Sequence, residues 1–203
     1  KETLDQSTTS AYRLAIKGGD DIALYALSVG FLKNEGTVKT SDYSRFNLRF
    51  NSDIEFSDFF NLNSNIAFSY HDKNLGGTGA GRTEDAVAQA RQKAPFLYPN
   101  IRNEEGYISS VLEDYDFLGV SNPSAILDNH LLRDMNYRFF GSFNFNFKFS
   151  DYFSVSNLVG LSFDKDRESV FIPSYGVQPQ ETPRGTITNQ MKARVVRHMA
   201  LNN

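Results

Sequence analysis

Fourteen consecutive residues, 43–56, alternate without interruption. Tyr43, Arg45, Asn47, Arg49, Asn51, Asp53 and Glu55 fall on one side, and Ser44, Phe46, Leu48, Phe50, Ser52, Ile54 and Phe56 on the other. Side chains that change sides at every residue belong to a β-strand, and this one exceeds the five or six residues usual in globular sheets. A tilted strand needs about 9–11 residues to cross a bilayer, so this one is long enough to span and project beyond.

The stretch 59–72 repeats the pattern, with Phe60, Leu62, Ile66, Phe68 and Tyr70 opposed to Asn61, Asn63, Asn65, Ser69 and His71. Only Ser57-Asp58 separates the two stretches, which predicts a tight hairpin. The same hairpin returns 93 residues later. Phe139, Phe143, Phe145, Phe147 and Phe149 oppose Ser142, Asn144, Asn146 and Lys148, the turn is Ser150-Asp151, and the return strand carries Phe153, Val155, Val159, Leu161 and Phe163. An ungapped alignment of 43–73 with 136–166 has nine identities in 31 positions, among them Arg45/Arg138, Phe50/Phe143, Asn51/Asn144, Phe56/Phe149 and the Ser-Asp turn. The period is too long for a stacked solenoid and reads as a repeated architectural unit. A weaker hairpin is expected at 10–33 around Gly18-Gly19-Asp20-Asp21, and a seventh strand at 186–199.

The connections alternate as well. Three turns of about two to four residues lie at one end. The other end has connections over 34–42, 74–135 and 167–185. Short turns on one side and long loops on the other are the asymmetry of an outer-membrane barrel. The long loop carries the one helix expected from sequence, with Thr83 as its cap, Glu84 and Asp85 in its first turn, Arg91 and Lys93 near its end, and Ala86, Val87, Ala90 and Ala94 on one face. The fold class expected is therefore all-β, an antiparallel transmembrane barrel segment of about seven strands, with 74–135 an extracellular loop within it. Seven is odd, whereas bacterial single-chain barrels close with even numbers, so 1–203 reads as part of a larger barrel.

Composition agrees once it is read by face. The chain is 14% aromatic with 18 Phe and 10 Tyr, yet only 40% hydrophobic, with mean hydropathy −0.43. Averaging over alternating strands cancels an aromatic face against a polar one. Placing Arg45 or Arg49 against lipid would cost about 2–4 kcal/mol each near the midplane. Phe46, Phe50, Phe60, Phe143, Phe145 and Phe147 are therefore expected to face lipid. Arg45, Arg49, Asp53, Asn144, Asn146 and Lys148 are expected to face a wet lumen.

The run Tyr25-Ala26-Leu27-Ser28-Val29-Gly30-Phe31-Leu32-Lys33-Asn34-Glu35-Gly36-Thr37-Val38, followed by Tyr43-Ser44-Arg45-Phe46-Asn47-Leu48-Arg49-Phe50-Asn51, resembles the barrel of the SusC/RagA family of TonB-dependent outer-membrane transporters of Bacteroidetes. The loop helix followed by Lys93-Ala94-Pro95, and Asn136-Tyr137-Arg138-Phe139-Phe140-Gly141 at the start of the later hairpin, are similar to the same family. The resemblance runs from about Thr9 to Gly176. It implies a roughly 22-stranded barrel in the outer membrane, plugged by an N-terminal domain and energised through TonB. Such a barrel imports oligosaccharides or peptides delivered by a SusD-like surface lipoprotein. The plug, its TonB-contact segment and the remaining strands are not in the 203 residues, so the partners implied are the rest of the barrel and plug, the lipoprotein, the TonB complex and outer-membrane lipid. Within the long loop, Tyr98, Asn100, Arg102, Asp114 and Tyr115 are expected to face the substrate or the lid lipoprotein.

Other chemistry finds little support. With no cysteine, Cys-zinc sites, thiol nucleophiles and iron–sulfur clusters are excluded. His71, His130 and His198 show no metal spacing, and Glu113-Asp114-Tyr115-Asp116 lacks the spacing of a calcium loop and reads as a solvated acidic turn. The glycines of 76–81 have no Lys-Ser/Thr ending for phosphate and read as a linker. Asp164-Lys165-Asp166-Arg167-Glu168 reads as a mixed charged rim, solvated or facing lipopolysaccharide. No Gly-x-Ser-x-Gly motif occurs, and Lys and Arg are scattered, which disfavours a nucleic-acid partner. Neither an enzyme nor a bound cofactor is expected. Two further readings fit the alternation: a self-contained small barrel acting as a pore or adhesin, with an eighth strand near the start of the chain, and a soluble carbohydrate-binding module with the aromatics in its core.

Overall fold

A computed structural model describes residues 3–75, 86–93, 98–102, 104, 106–109, 122–172 and 190–202. Seven strands follow one another as β1 (Thr8–Gly19), β2 (Ala23–Glu35), β3 (Ser41–Ser57), β4 (Phe60–Leu75), β5 (Leu131–Ser150), β6 (Phe153–Ile172) and β7 (Gln190–Asn202), with helices α1 (Ala86–Gln92) and α2 (Pro123–Asn129) between β4 and β5. The strands pair only with their chain neighbours, all antiparallel, in one sheet of order β1 to β7. The sheet does not close on itself. Among the described residues there is no eighth strand, and near the start Leu4 makes only an isolated bridge to Val38.

Register joins the seven alternations into two faces. Leu14 stands beside Val29, Val29 beside Leu48, Leu48 beside Phe68, Phe68 beside Phe139, Phe139 beside Phe163 and Phe163 beside Met199. A single slip of one residue at any pair would move every side chain of that strand to the opposite face. No such slip occurs along this row. Phe46, Phe50, Phe60, Phe143, Phe145 and Phe147 consequently share one face, and Arg45, Arg49, Asp53, Asn144, Asn146 and Lys148 share the other.

The two repeated hairpins are neighbours in the sheet and match in detail. In each, register shifts just before the turn, between Glu55 and Ser57 in β3 and between Lys148 and Ser150 in β5. The extra residue is Phe56 in one copy and Phe149 in the other, 93 positions apart. These bulges move the turns one residue beyond the expected sites, to Asp58-Phe59 and Asp151-Tyr152.

Other boundaries differ from expectation, and the β2–β3 connection is 36–40 rather than 34–42. The β4–β5 connection is 76–130 rather than 74–135, because both strands continue past the apolar band through polar residues that still pair. For the same reason β6 runs to Ile172, beyond the start expected at 167 for the following connection. β7, expected over 186–199, continues to Asn202, and residues 186–189 lie outside the described residues. A second helix, α2, accompanies α1. It was missed because seven residues hold too little periodicity to read, although Asn122 followed by Pro123 is a helix-start signal. Thr83 and Ala94 lie outside the described residues.

A sheet one layer thick has no opposing layer to bury its side chains, so the buried apolar residues lie elsewhere. Ala86 of α1 and Ile126 and Leu127 of α2 pack together with Val38 of the β2–β3 connection, and Leu132 and Val170 pack with Leu75 at the loop ends of their strands. Among the described residues nothing covers the aromatic face, and Tyr12, Leu14, Phe31 and Val155 are all exposed.

At the β1–β2 turn, Asp20 accepts hydrogen bonds from the backbone N–H of Ala23 at 2.8 Å and of Ile22 at 2.9 Å. These donors hold its carboxyl below the usual aspartate range. The turn's support from Asp20 is therefore present above the ordinary aspartate pKa and is lost as pH falls through the lowered one. Gly19, at φ +155°, leaves no room for a side chain, since a Cβ would collide with the Ala23 carbonyl oxygen and with Leu24. Gly30 differs, because a Cβ there would come no closer than 3.8 Å to Asn47 Nδ2. Gly19→Ala should thus lower the thermal midpoint of the intact barrel, read by heat-modifiable gel mobility, while Gly30→Ala leaves it nearly unchanged.

Candidate lumen wall and loop cluster

The polar face is cross-linked from strand to strand. Asp53 of β3 accepts from Asn61 Nδ2 at 2.7 Å and Asn63 Nδ2 at 2.8 Å on β4. Asn146 of β5 donates to Asn61 Oδ1 at 3.2 Å and Asn63 Oδ1 at 2.9 Å. One carboxylate and three amides thus form a chain across three strands, in which Asn61 and Asn63 each accept through the carbonyl and donate through the NH₂. Farther along, Asp164 of β6 receives Asn136 Nδ2 at 2.6 Å, Arg138 Nε at 2.9 Å and Arg138 Nη2 at 2.7 Å. Lys148 pairs with Asp151 at 3.0 Å beside the short turn.

The repeat diverges in charge at several equivalent positions, one of which decides how an arginine is paired. Arg138 stands across from Asp164, whereas Arg45, its counterpart 93 residues earlier, stands across from His71. Arg45 has no carboxylate partner among the described residues, nor have Arg49 and Arg13. Register sets Gly30 between Arg13 and Asn47, and Arg45 and Arg49 lie two residues to either side of Asn47. The three arginines line one hollow of about 350 Å³ together with Gly30 and Asn47. Arginines without acidic partners around a concavity suit carboxylate, phosphate or sulfate oxygens.

The aromatic face is bounded by rings at both ends. Near the short turns Phe56 stacks on Phe60 at 5.2 Å, Phe60 on Phe147 at 4.9 Å, and Phe59 meets Phe149 edge-on at 5.0 Å. Near the loops Tyr70 packs on Tyr137 at 4.7 Å. Phe60 and Tyr70 are ten residues apart on β4, about 33 Å along a strand and about 23–27 Å along the normal at the usual barrel tilt of 35–45°. Ser52 and Ser64, two polar residues of this face, bond to each other through their hydroxyls, so neither is left unsatisfied in the apolar band.

Above the loop ends, Asn122 organises the described part of the long connection. It is fully buried, and its Nδ2 donates to the carbonyls of Pro99 and Ser109, both at 2.8 Å, while its Oδ1 accepts from Ser124 N at the start of α2. Nothing in the sequence singles it out for this role. The segment it holds contains three of the five candidate contact residues. Tyr98 is 62% exposed. Asn100 lines a hollow beside Lys39, Thr40, Ser124 and Asp128. Arg102 Nη1 donates to the Gly106 carbonyl at 2.6 Å and bridges to Ile108, which closes a small turn. Asp114 and Tyr115 lie outside the described residues.

An antiparallel meander with one polar wall, one ring-bounded apolar wall, short turns at one end and long loops at the other is a segment of an outer-membrane-type β-barrel. No protein-family model matches the chain. Two curated relatives do, both from Formosa agariphila: TonB-dependent receptor P26, 26% identical over 161 residues and 79% of this chain, and TonB-dependent receptor P3, 25% identical over 182 residues and 85% of this chain. The chain spans 15% and 17% of their lengths. Among solved structures, the RagAB peptide transporter matches over 98% of this chain and 22% of its own, with TM-score 0.70 and 14% identity. The RagAB peptide importer in its closed-closed state matches over the same shares with TM-score 0.67 and 13% identity. The chain is thus similar in sequence to TonB-dependent receptors and in fold to the RagAB structures, in line with the resemblance its sequence carries.

Replacing Asn122 by Ala removes two donors from buried carbonyls, at a cost of about 1–3 kcal/mol for groups left unsatisfied. Limited proteolysis of the intact receptor should then cut faster within 98–109, with no change in the strands' protection.

Proposed function

We propose that these residues form part of the wall of an outer-membrane, TonB-dependent importer of peptides or oligosaccharides, of the RagAB kind. The observation that carries this reading is the uncovered aromatic face. Among the described residues no protein layer lies over it, it is bounded by aromatic rings about 23–27 Å apart on the normal, and exposure of this extent marks an interaction surface. In this reading Phe46, Phe50, Phe60, Phe143, Phe145 and Phe147 face lipid. Arg45, Arg49, Asp53, Asn144, Asn146 and Lys148 line the lumen. The import energy enters through TonB and a plug that the rest of the receptor supplies. A SusD-like lipoprotein covers the long-loop end, where Tyr98, Asn100, Arg102, Asp114 and Tyr115 meet it or the substrate. Solute drawn past the wall meets hydrogen-bonding amides and the open guanidinium groups of Arg13, Arg45 and Arg49. These favour peptide carboxylates or acidic sugars over neutral solutes.

A pair of adjacent substitutions tests the faces. Phe143→Arg should lower the stability of the intact barrel in lipid by about 2–4 kcal/mol, as expected for a cation near the midplane, while Asn144→Arg leaves it close to wild type. Equal effects would remove the assignment. For the loop, Tyr98→Ala with Asn100→Ala should reduce uptake by the intact receptor several-fold at unchanged surface abundance. Unchanged uptake would remove these two residues from the contact surface.

A further inference from the structure

The run 164–168 is mixed in sequence, but β6 sorts it by sign. Lys165 and Arg167 lie on the aromatic face and Asp164, Asp166 and Glu168 on the polar one, because Lys165 stands beside Tyr137 and Arg167 beside Met135, whereas Asp164 stands beside Arg138. Across the next strand Arg197 stands opposite Lys165, and Val195 opposite Arg167. Three cations from two strands therefore occupy one patch of the outer wall. The carboxylates that could neutralise them are committed elsewhere. Asp164 holds Arg138 and Asn136 on the other face. Asp72, on the aromatic face of β4, holds Arg133 through Nε at 2.9 Å and through a second bond from Nη2. Lys165, Arg167 and Arg197 form no ion pair among the described residues, and both arginines are exposed.

Their height on the wall is as informative as their charge. From the middle of the sheet toward the loops, β5 and β6 present Phe139 and Phe163, then Tyr137 and Lys165, then Met135 and Arg167. Lys165 Nζ sits 6.0 Å from the centre of the Tyr137 ring, and Tyr137 packs on Tyr70. Tyrosines of this kind mark the level where hydrocarbon gives way to headgroups. Cations immediately beyond them stand where lipid phosphates lie, and guanidinium groups match phosphate oxygens in geometry as well as charge.

We propose that Lys165, Arg167 and Arg197 form a site on the outer wall for the phosphate of a lipid headgroup in the leaflet on the long-loop side. The proposal rests on the lipid-facing assignment made above, and the experiment separates the two. Intact receptor in neutral detergent is titrated with a diphosphorylated glycolipid, with the same glycolipid lacking its phosphates, and with inorganic phosphate, while thermal unfolding is followed. The phosphorylated lipid should raise the wild-type midpoint by several degrees. That rise should largely vanish in the triple variant K165Q/R167Q/R197Q and persist in K165R. Equal rises in wild type and triple variant overturn the site. A full rise with inorganic phosphate, or with the dephosphorylated lipid, overturns the headgroup assignment. Should the triple variant not assemble, R167Q alone should show a reduced rise, and a wild-type response from it overturns the proposal. In parallel, a fluorophore on Phe143→Cys reports quenching by a lipid-borne quencher. Quenching there with no loss of response in the charge variants overturns the phosphate site alone, whereas no quenching overturns the face assignment beneath it.

Discussion

Cross-strand register is the constraint on which the rest of this structure depends. Each strand alternates on its own, but alternation settles nothing until neighbouring strands agree on which parity points which way. Six consecutive pairings do agree, from Leu14 through Leu48 and Phe139 to Met199. That agreement gathers the aromatics into one surface and the amides and arginines into another. It also separates the charges of 164–168, which no local property of that run would reveal.

The same alternation explains why so much could be read without coordinates. The strands β1 to β6, the antiparallel pairing of the repeated hairpins and the shared faces of Phe46, Phe50 and Phe143 against Arg45, Arg49 and Asn144 were all legible, because a period of two is unambiguous over fourteen residues. Strand ends were less legible. Past the apolar band, residues such as Lys73, Arg133 and Glu168 still pair, but their polarity resembles that of a loop. The bulges at Phe56 and Phe149 were invisible, since an unpaired residue inside an aromatic run leaves the pattern unbroken. Asn122 was missed for another reason. Its partners are backbone carbonyls of residues 13 and 23 positions away, and sequence carries no mark of such bonds. Of the candidate contact residues, Tyr98, Asn100 and Arg102 fall together on the segment that Asn122 holds.

The two hairpins show what repetition preserves and what it releases. Backbone features are kept: the bulge, the turn and the aromatic parity. The electrostatics of the polar wall are not, because one copy neutralises its arginine with Asp164 while the other sets Arg45 opposite His71. Exposed polar positions that make no backbone contribution are free to vary in charge at little cost to the sheet. A common scaffold can thus acquire a basic flank, at Arg13, Arg45 and Arg49, beside a neutralised one.

The described helices have a small buried centre of their own, with Ala86, Ile126 and Leu127 packed on Val38. It touches the strands through a short connection, where Thr40 Oγ1 also donates to the Leu127 carbonyl at 3.4 Å. The wall and this centre therefore obey different solvents. Burial from water holds the helical cluster together, so urea is its natural denaturant. The ring-bounded wall, on the reading proposed here, is held by contact with hydrocarbon, so acyl-chain length and detergent are what govern it. A midpoint read from the strands therefore reports on the wall and leaves the helical cluster to be followed by its own probe.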